Sequence, residues 1–361
     1  MHVLAIETSC DETSAAVLEG SGSLTLDGGK AGGRGETAAA VPDGEARVLS
    51  NIVLSQDEIH APFGGVVPEL ASRQHLKSID PVVRESLTAA GVPLAGIDVF
   101  AVTQGPGLIG SLLVGVSFAK GLAYVRGKPL VGVDHVQAHI QAAFLEHPET
   151  PYPALALIVS GGHTSLFLLK EPLLYERLGR TRDDAAGEAL DKVAKFLELG
   201  YPGGPVIQRL AEPGDPAAFE FALPRMSDRS LDFSFSGLKT AALRIIRENR
   251  IAKDHPRLPD FLASFESAVV RALIENLLRA AERTDPRALV LCGGVARNAR
   301  LRKRFEEAAR SGGLRWAIPS GKLCTDNAAM VGALALARIR AGVPIPPALE
   351  LDAYPRSLFG G

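Results

Sequence analysis

Cysteine is scarce in this chain: Cys10, Cys292 and Cys324 are the only three in 361 residues, and no two form a close C-x-x-C pair. That spacing argues against a disulfide framework and a cysteine-rich zinc site, and it points to a reducing, cytoplasmic compartment. An excess of one charge is also lacking, because 39 Lys and Arg stand against 41 Asp and Glu for a net charge of −2. Without a global attraction for nucleic acid, any such partner needs a local basic patch or a helper protein. No run approaches the roughly 20 apolar residues of a membrane span, and no basic, apolar leader precedes the first strand, so neither secretion nor membrane insertion is expected. What is present is a globular balance, 46% hydrophobic and 22% charged, with 37 Gly and 24 Pro implying many tight turns between short elements.

A chain of 361 residues suits two domains better than one core. Residues 3–14, VLAIETSCDETS, are echoed 151 positions later by residues 154–165, ALALIVSGGHTS, with Leu4/Leu155, Ala5/Ala156, Ser9/Ser160, Thr13/Thr164 and Ser14/Ser165 in constant register. Each copy reads as apolar strand, small polar turn and apolar strand, either one domain duplicated or two unrelated hairpins with similar turns. Between Glu19 and Arg47, residues 20–46 are rich in Gly and Ala with few large apolar side chains, which predicts a mobile excursion outside the active site.

Strand character returns at residues 47–54, and apolar residues at helical spacing over 74–90 end at Gly91 and Pro93. A short strand at 97–103 runs into the glycine turn of 105–111, after which 112–125 is helical; that turn either holds an anion or allows close packing. Residues 131–133 form a strand before a helix carrying His135 and His139. The same order of hairpin, helices, strand, glycine turn and helix resumes after 153. Strands alternating with helices give an α/β architecture with mixed sheets.

His135 and His139, four apart on a helix, share one face and could bind one metal ion. The alternative is packing or surface histidines, and the segment is not H-E-x-x-H, because Val136 and Gln137 stand where that motif places Glu and a spacer. Ile158, Val159, Ser160, Gly161 and Gly162, followed by His163 and Thr164, suit a backbone cradle for phosphate oxygens or a structural hairpin. Asp183 and Asp184 open a predicted helix at its positive end and read as capping groups, whereas Asp191 lies more than a turn inside, before the rigid Tyr201-Pro202-Gly203-Gly204-Pro205 turn. Leu289 to Asn298 is strand, double glycine and helix start, with Asn298 as an amide donor and acceptor. Asp326, before the last apolar helix, is an N-cap or an oxygen ligand to the histidines, and spacing alone favours the cap.

IETSCDETSAA, HAPFGGVVPELASRQH, QGPGLIGSLLVG, the His-x-x-x-His, IVSGGHT, DDAAGEALDKVAKFLELGYPGGP, DFSFSGLKTA, LCGGVARNARLR and CTDNAAMVG occur in one order along the chain. In this the chain resembles the TsaD family of tRNA N6-adenosine threonylcarbamoyltransferases over nearly its whole length, apart from residues 20–46. The resemblance implies a duplicated actin-like fold, as in sugar kinases and Hsp70, with an N-terminal lobe at 1–150 and a C-terminal lobe at 151–361 whose last helix is a candidate to pack back on the first lobe. It implies transfer of threonylcarbamoyl from threonylcarbamoyl-adenylate to N6 of adenosine 37 in tRNAs reading ANN codons, with release of AMP. It also implies one divalent metal, Fe²⁺ or Zn²⁺, on His135, His139 and Asp326, against the cap favoured by spacing. The nucleotide ligand, threonylcarbamoyl-adenylate or ATP/ADP, falls to Ile158, Val159, Ser160, Gly161, Gly162, Asp191, Gly204 and Asn298.

Asp11 and Glu12 are the candidate proton acceptors for the adenine N6. Family partners are the paralogue TsaB and the ATPase TsaE, with a TsaC-type synthase supplying the adenylate. Basic candidates for tRNA are Arg297, Arg300, Arg302, Lys303 and Arg304, or Arg244, Arg247, Arg250 and Lys253, each run also readable as a solvated helix face. Rival readings are a metal-dependent glycoprotein endopeptidase, which lacks its catalytic Glu here, a kinase or ATPase of the same fold, for which paired histidines suit Mg²⁺ poorly, and a noncatalytic scaffold.

Overall fold

Five strands of the first half hydrogen-bond in the order β3-β2-β1-β4-β5, with β1 at His2–Glu7, β2 at Glu12–Glu19, β3 at Arg47–Ser55, β4 at Val99–Gly105 and β5 at Leu130–Asp134. Five of the second half repeat the arrangement as β8-β7-β6-β9-β10, with β6 at Ala154–Val159, β7 at Thr164–Glu171, β8 at Leu174–Arg180, β9 at Ala288–Cys292 and β10 at Arg315–Ala317. In each sheet three strands run antiparallel and the next two are added parallel. The echo is one of register as well as residue type: Leu4 faces Val17 and Leu155 faces Leu168, so both members of the pair are 151 residues from their counterparts. The hairpins are therefore equivalent pieces of a duplicated fold. The computed structural model describes residues 1–21, 46–223, 226 and 228–356, so most of the predicted excursion at 20–46 lies outside the described residues.

By their contacts the residues group into two compact units, Met1–Ile59 with Val66–Glu149 and Asp326–Gly361, and His60–Gly65 with Thr150–Thr325. Against lobes expected at 1–150 and 151–361, residues 60–65 group with the second unit, and the last helix, a candidate to pack back, groups with the first from Asp326 onward. In the first unit Leu4, Ile6, Val17, Phe100 and Val102 form a core under helix α2, Pro68–Ala90, which follows the short α1, Asp57–His60, and under α3, Ile109–Arg126. Helix α2 begins six residues before the predicted start because Pro68 occupies its first turn, where a missing N–H is harmless, and it ends at a left-handed Gly91. Helix α3 reaches a mean hydropathy of 1.2 over 18 residues, enough by length and composition to cross a membrane, contrary to the expectation from the sequence. Its Leu112, Val116, Ala119 and Ala123 are buried, and along that face it packs on α2 and β4. Helix α4, His135–Glu146, follows β5 directly.

The second unit packs Leu155, Leu157 and Leu166 with Phe261 and Phe265 under α5 at Ala186–Phe196, α6 at Gly203–Ala211, α7 at Ser236–Glu248, α8 at Leu258–Thr284 and α9 at Ala299–Ser311. A short α10, Gly321–Cys324, closes that unit. Helix α11, Ala328–Arg340, packs on α4, β1 and β2 of the first.

Candidate functional site

In the first unit Asp134 decides where α4 begins. Its Oδ1 accepts the N–H groups of Val136 at 2.9 Å and Gln137 at 3.1 Å, satisfying donors that a helix start leaves free, so His135 is the first helical residue and His139 lies one turn on. The two rings meet edge to face with centroids 4.6 Å apart. Asp326 completes the group: its Oδ1 stands 3.1 Å from His139 Nε2 and 3.7 Å from His135 Nε2. It is not the cap of the last helix, because the neighbouring Asn327 accepts the Met330 N–H and fills that role. Spacing alone could not separate two adjacent candidates for one cap.

His135, His139 and Asp326 offer ligand atoms that all lie within 4.8 Å of one another. Two imidazole nitrogens and a carboxylate oxygen suit Zn²⁺ or Fe²⁺ better than Mg²⁺. The buried His139 Nδ1 has no hydrogen-bond partner among the described residues, whereas His135 Nδ1 faces Glu7 Oε2 at 3.2 Å and Ser9 Oγ at 3.1 Å. Burial would lower the His135 pKa, but the carboxylates of Asp326 and Glu7 raise it to about 9. Burial pushes the Glu7 carboxyl upward, and the charge of His135 and the hydrogen bond to it bring it below the usual range.

The tip of the first hairpin carries Asp11 and Glu12. His75 of α2 pins it, accepting from Thr13 Oγ1 at 2.8 Å and donating from Nε2 to the Cys10 carbonyl at 2.9 Å. The Gly105–Ser111 turn supports the same tip by close packing, because a Cβ on Gly107 would stand 2.5 Å from the Ser9 carbonyl oxygen. Glu12 is half-buried, and burial together with the charges of Asp326 and Asp11 holds its carboxyl well above the usual carboxylate range. Glu7, Thr103 and His75 were missed in the sequence. The available signal was an acid ending an otherwise apolar strand, which burial makes costly unless it is bonded.

In the second unit the tip between β6 and β7 is closed by Ser160 N–H to the His163 carbonyl at 2.8 Å and His163 N–H to Ser160 Oγ at 3.1 Å. Ile158 and Val159 are buried in the sheet, while Gly161 and Gly162 are exposed, with open space where a Cβ would be. Two other glycines wedge against this turn. A Cβ on Gly187 would stand 2.6 Å from the Ser160 carbonyl oxygen, and one on Gly293, at φ +92°, would stand 2.4 Å from that of Val159. Three glycine-bearing segments thus meet at one end of β6.

Asp191 Oδ1 accepts the Gly203 N–H at 2.7 Å and so fixes the turn that presents Gly204. Asn298 caps α9 through Oδ1 to the Leu301 N–H and donates from Nδ2 to Glu266 at 2.6 Å. Asp183 and Asp184 do not cap the helix that follows them, which starts at Ala186. Asp183 instead accepts from Ser234 Oγ and the N–H groups of Phe235 and Ser236 at the start of α7, and Asp184 pairs with Lys192 and Lys239. The basic run of α9 is largely occupied: Arg300 pairs with Glu266, Arg304 with Glu307, and Arg302 donates to the carbonyls of Ala296 and Pro319. Arg244, Arg247, Arg250 and Lys253 are exposed and have no carboxylate within 4.0 Å among the described residues.

A family model described as TsaD, tRNA N6-adenosine threonylcarbamoyltransferase, matches residues 47–333. A protein of Moorella thermoacetica named tRNA N6-adenosine threonylcarbamoyltransferase is 47% identical over 334 residues, 92% of this chain and 91% of its own. One of the same name from Anaeromyxobacter dehalogenans (strain 2CP-C) is 49% identical over 352 residues, 97% and 98% of the two chains. Among solved structures, HypF of T. kodakarensis aligns at a TM-score of 0.59 and 14% identity over 94% of this chain and 48% of its own. Component A of the Acidaminococcus fermentans (R)-2-hydroxyglutaryl-CoA dehydratase aligns at 0.50 and 15% over 95% and 98%. These structural likenesses concern the fold alone, which is the actin-like ATPase fold in duplicate.

Proposed function

Because the chain belongs to the TsaD family of tRNA N6-adenosine threonylcarbamoyltransferases, it forms threonylcarbamoyladenosine in tRNA, and we propose how its residues divide that work. The donor is threonylcarbamoyl-adenylate, and the acceptor is N6 of adenosine 37 in tRNAs reading ANN codons. The N6 lone pair forms the new bond to the carbamoyl carbon, the bond from that carbon to the phosphate oxygen breaks, and AMP leaves with its electrons. The N6 proton passes to Glu12, which lies half-buried beside Asp11 at the hairpin tip.

His135, His139 and Asp326 hold one divalent cation, Zn²⁺ or Fe²⁺, which when bound supplies a Lewis acid for a carbonyl oxygen. In the second unit the N–H groups of Gly161 and Gly162, left open by glycine, take the phosphate, and Ile158 and Val159 set that turn through their backbone. Asp191 places Gly204 for the nucleoside, and Asn298 holds the neighbouring helix start. The exposed Arg244, Arg247, Arg250 and Lys253 row takes tRNA phosphates. TsaB and TsaE assist, a TsaC-type synthase makes the adenylate, and the work is cytoplasmic.

The observation that carries this reading is the intact His135, His139 and Asp326 group in a chain of this family. The test is mass spectrometry of an unmodified ANN-reading tRNA incubated with this protein, TsaB, TsaE and threonylcarbamoyl-adenylate. Product that disappears on chelation is expected; no product with active partners would overturn the reading.

A further inference from the structure

A carboxylate buried at the end of an apolar strand is costly unless its oxygens are engaged. Glu7 closes β1 after Val3, Leu4, Ala5 and Ile6 and is fully buried. Its Oε1 accepts the Ser9 N–H at 2.5 Å, and its Oε2 accepts the Thr103 hydroxyl at 2.5 Å and lies 3.2 Å from His135 Nδ1, which Ser9 Oγ also approaches at 3.1 Å; a hydroxyl can donate or accept there, whereas the carboxylate can only accept. The matching position of the second unit, 151 residues on, is Ile158, equally buried on a strand of the same register. The hairpin frame accepts an aliphatic side chain there, so the acid in the first unit answers to something other than the frame. In the first unit the acid faces His135.

We propose that Glu7 is a positioning residue: by accepting the Nδ1 proton of His135 it fixes the imidazole tautomer whose Nε2 lone pair is turned to Asp326 and His139, and so makes that group competent to bind a divalent cation. This rests on reading His135, His139 and Asp326 as a metal site. The Ser9 N–H can only donate. In a Glu7→Gln variant the amide oxygen is therefore held at that N–H, and the amide NH₂ is turned toward Thr103 and His135. The Thr103 hydroxyl can accept, but His135 can accept at Nδ1 only by moving its proton to Nε2, which closes the ligand position.

Zn²⁺ is the probe, titrated into the metal-stripped full chain of the wild type, Glu7→Gln and Thr103→Val. The wild type binds one Zn²⁺, Glu7→Gln binds it about 10- to 100-fold more weakly, and Thr103→Val keeps the wild-type affinity while unfolding at a lower temperature. The ¹⁵N shifts of the His135 ring, recorded without metal at alkaline pH, read the tautomer directly. Protonation at Nδ1 in the wild type and at Nε2 in Glu7→Gln supports the proposal. A wild-type ring protonated at Nε2 overturns it with no variant needed, and so does a Glu7→Gln protein that loses stability but keeps its zinc affinity and tautomer. Failure of the metal reading shows separately, as zinc uptake that His139→Ala leaves unchanged; that result overturns the cation-binding role of Glu7 even where the tautomer switch is intact.

Discussion

The two hairpin tips differ where their frames agree. Four residues separate the strands in each, Thr8–Asp11 and Ser160–His163 in numbers 8–11 and 160–163, and both hairpins keep the same pairing register. In the first, Cys10, Asp11 and Glu12 stand where Gly161, Gly162 and His163 stand in the second. One tip is acid-bearing, clamped by His75 and packed under Gly107; the other is open glycine backbone wedged by Gly187 and Gly293. Duplication preserved the sheet, because any change there would move a whole face of buried side chains. The tips lie beyond the β1–β2 and β6–β7 ladders and differ in their residues: two carboxylates in one unit, two open glycines in the other.

Removing a ligand from the first unit should break the comparison most completely. His139→Ala is expected to lose bound metal and reduce threonylcarbamoyladenosine formation more than about 100-fold, beyond what loss of a supporting residue causes, while circular dichroism stays native. Glu12→Gln, which keeps shape and removes the base, should lower kcat by about 10²-fold and flatten the acid limb of the pH profile, with metal content unchanged. Because His135 without metal has a pKa of about 9, it carries a proton at pH 7 that an incoming cation must displace. Zinc affinity should therefore rise about tenfold per pH unit toward pH 9 and then level off, with calorimetry in buffers of different ionisation enthalpy showing proton release.

The second unit should respond differently. Gly162→Val places its Cβ in open space, so thermal stability is expected to stay within about 0.5 kcal/mol. If the turn gives N–H bonds to the adenylate phosphate, KM for that donor rises about tenfold, the equivalent of one charge-assisted bond. The smallest effect belongs to the basic rows. Arg244→Ser should weaken tRNA binding a few-fold and reduce its salt dependence by about 0.7–0.9 in log–log slope, whereas Arg304→Ser, already paired with Glu307, should change neither.

Much of this was legible before the fold. The strand-turn-strand echo, the helix with two histidines on one face, and the glycine turns follow from periodicity and turn chemistry, which are local. Asp183 and Asp184 show where that logic stops: a carboxylate before a helix reads as its cap, yet Asp183 caps α7 about 50 residues further along, where Phe235 and Ser236 offer it N–H groups. Asp326 lost the cap to Asn327 for the complementary reason, since His139 is 187 residues away in sequence and 3.1 Å away in space. The two basic runs look alike as sequence, and pairing with Glu266 and Glu307 separates the first from the second, which has no ion pair among the described residues.

The duplicated α/β frame, the family and the two histidines one turn apart are legible in the residues alone, because these rest on side-chain period, spacing and identity along one chain. Only the folded chain shows that Asn327 rather than Asp326 caps the last helix, that Asp326 stands beside His139, that the buried Glu7 faces His135, and which glycines are wedged against backbone and which stand open. Those choices depend on hydrogen bonds and steric approach between segments distant in sequence, where burial makes an unpaired charge or an added Cβ too costly to leave in place.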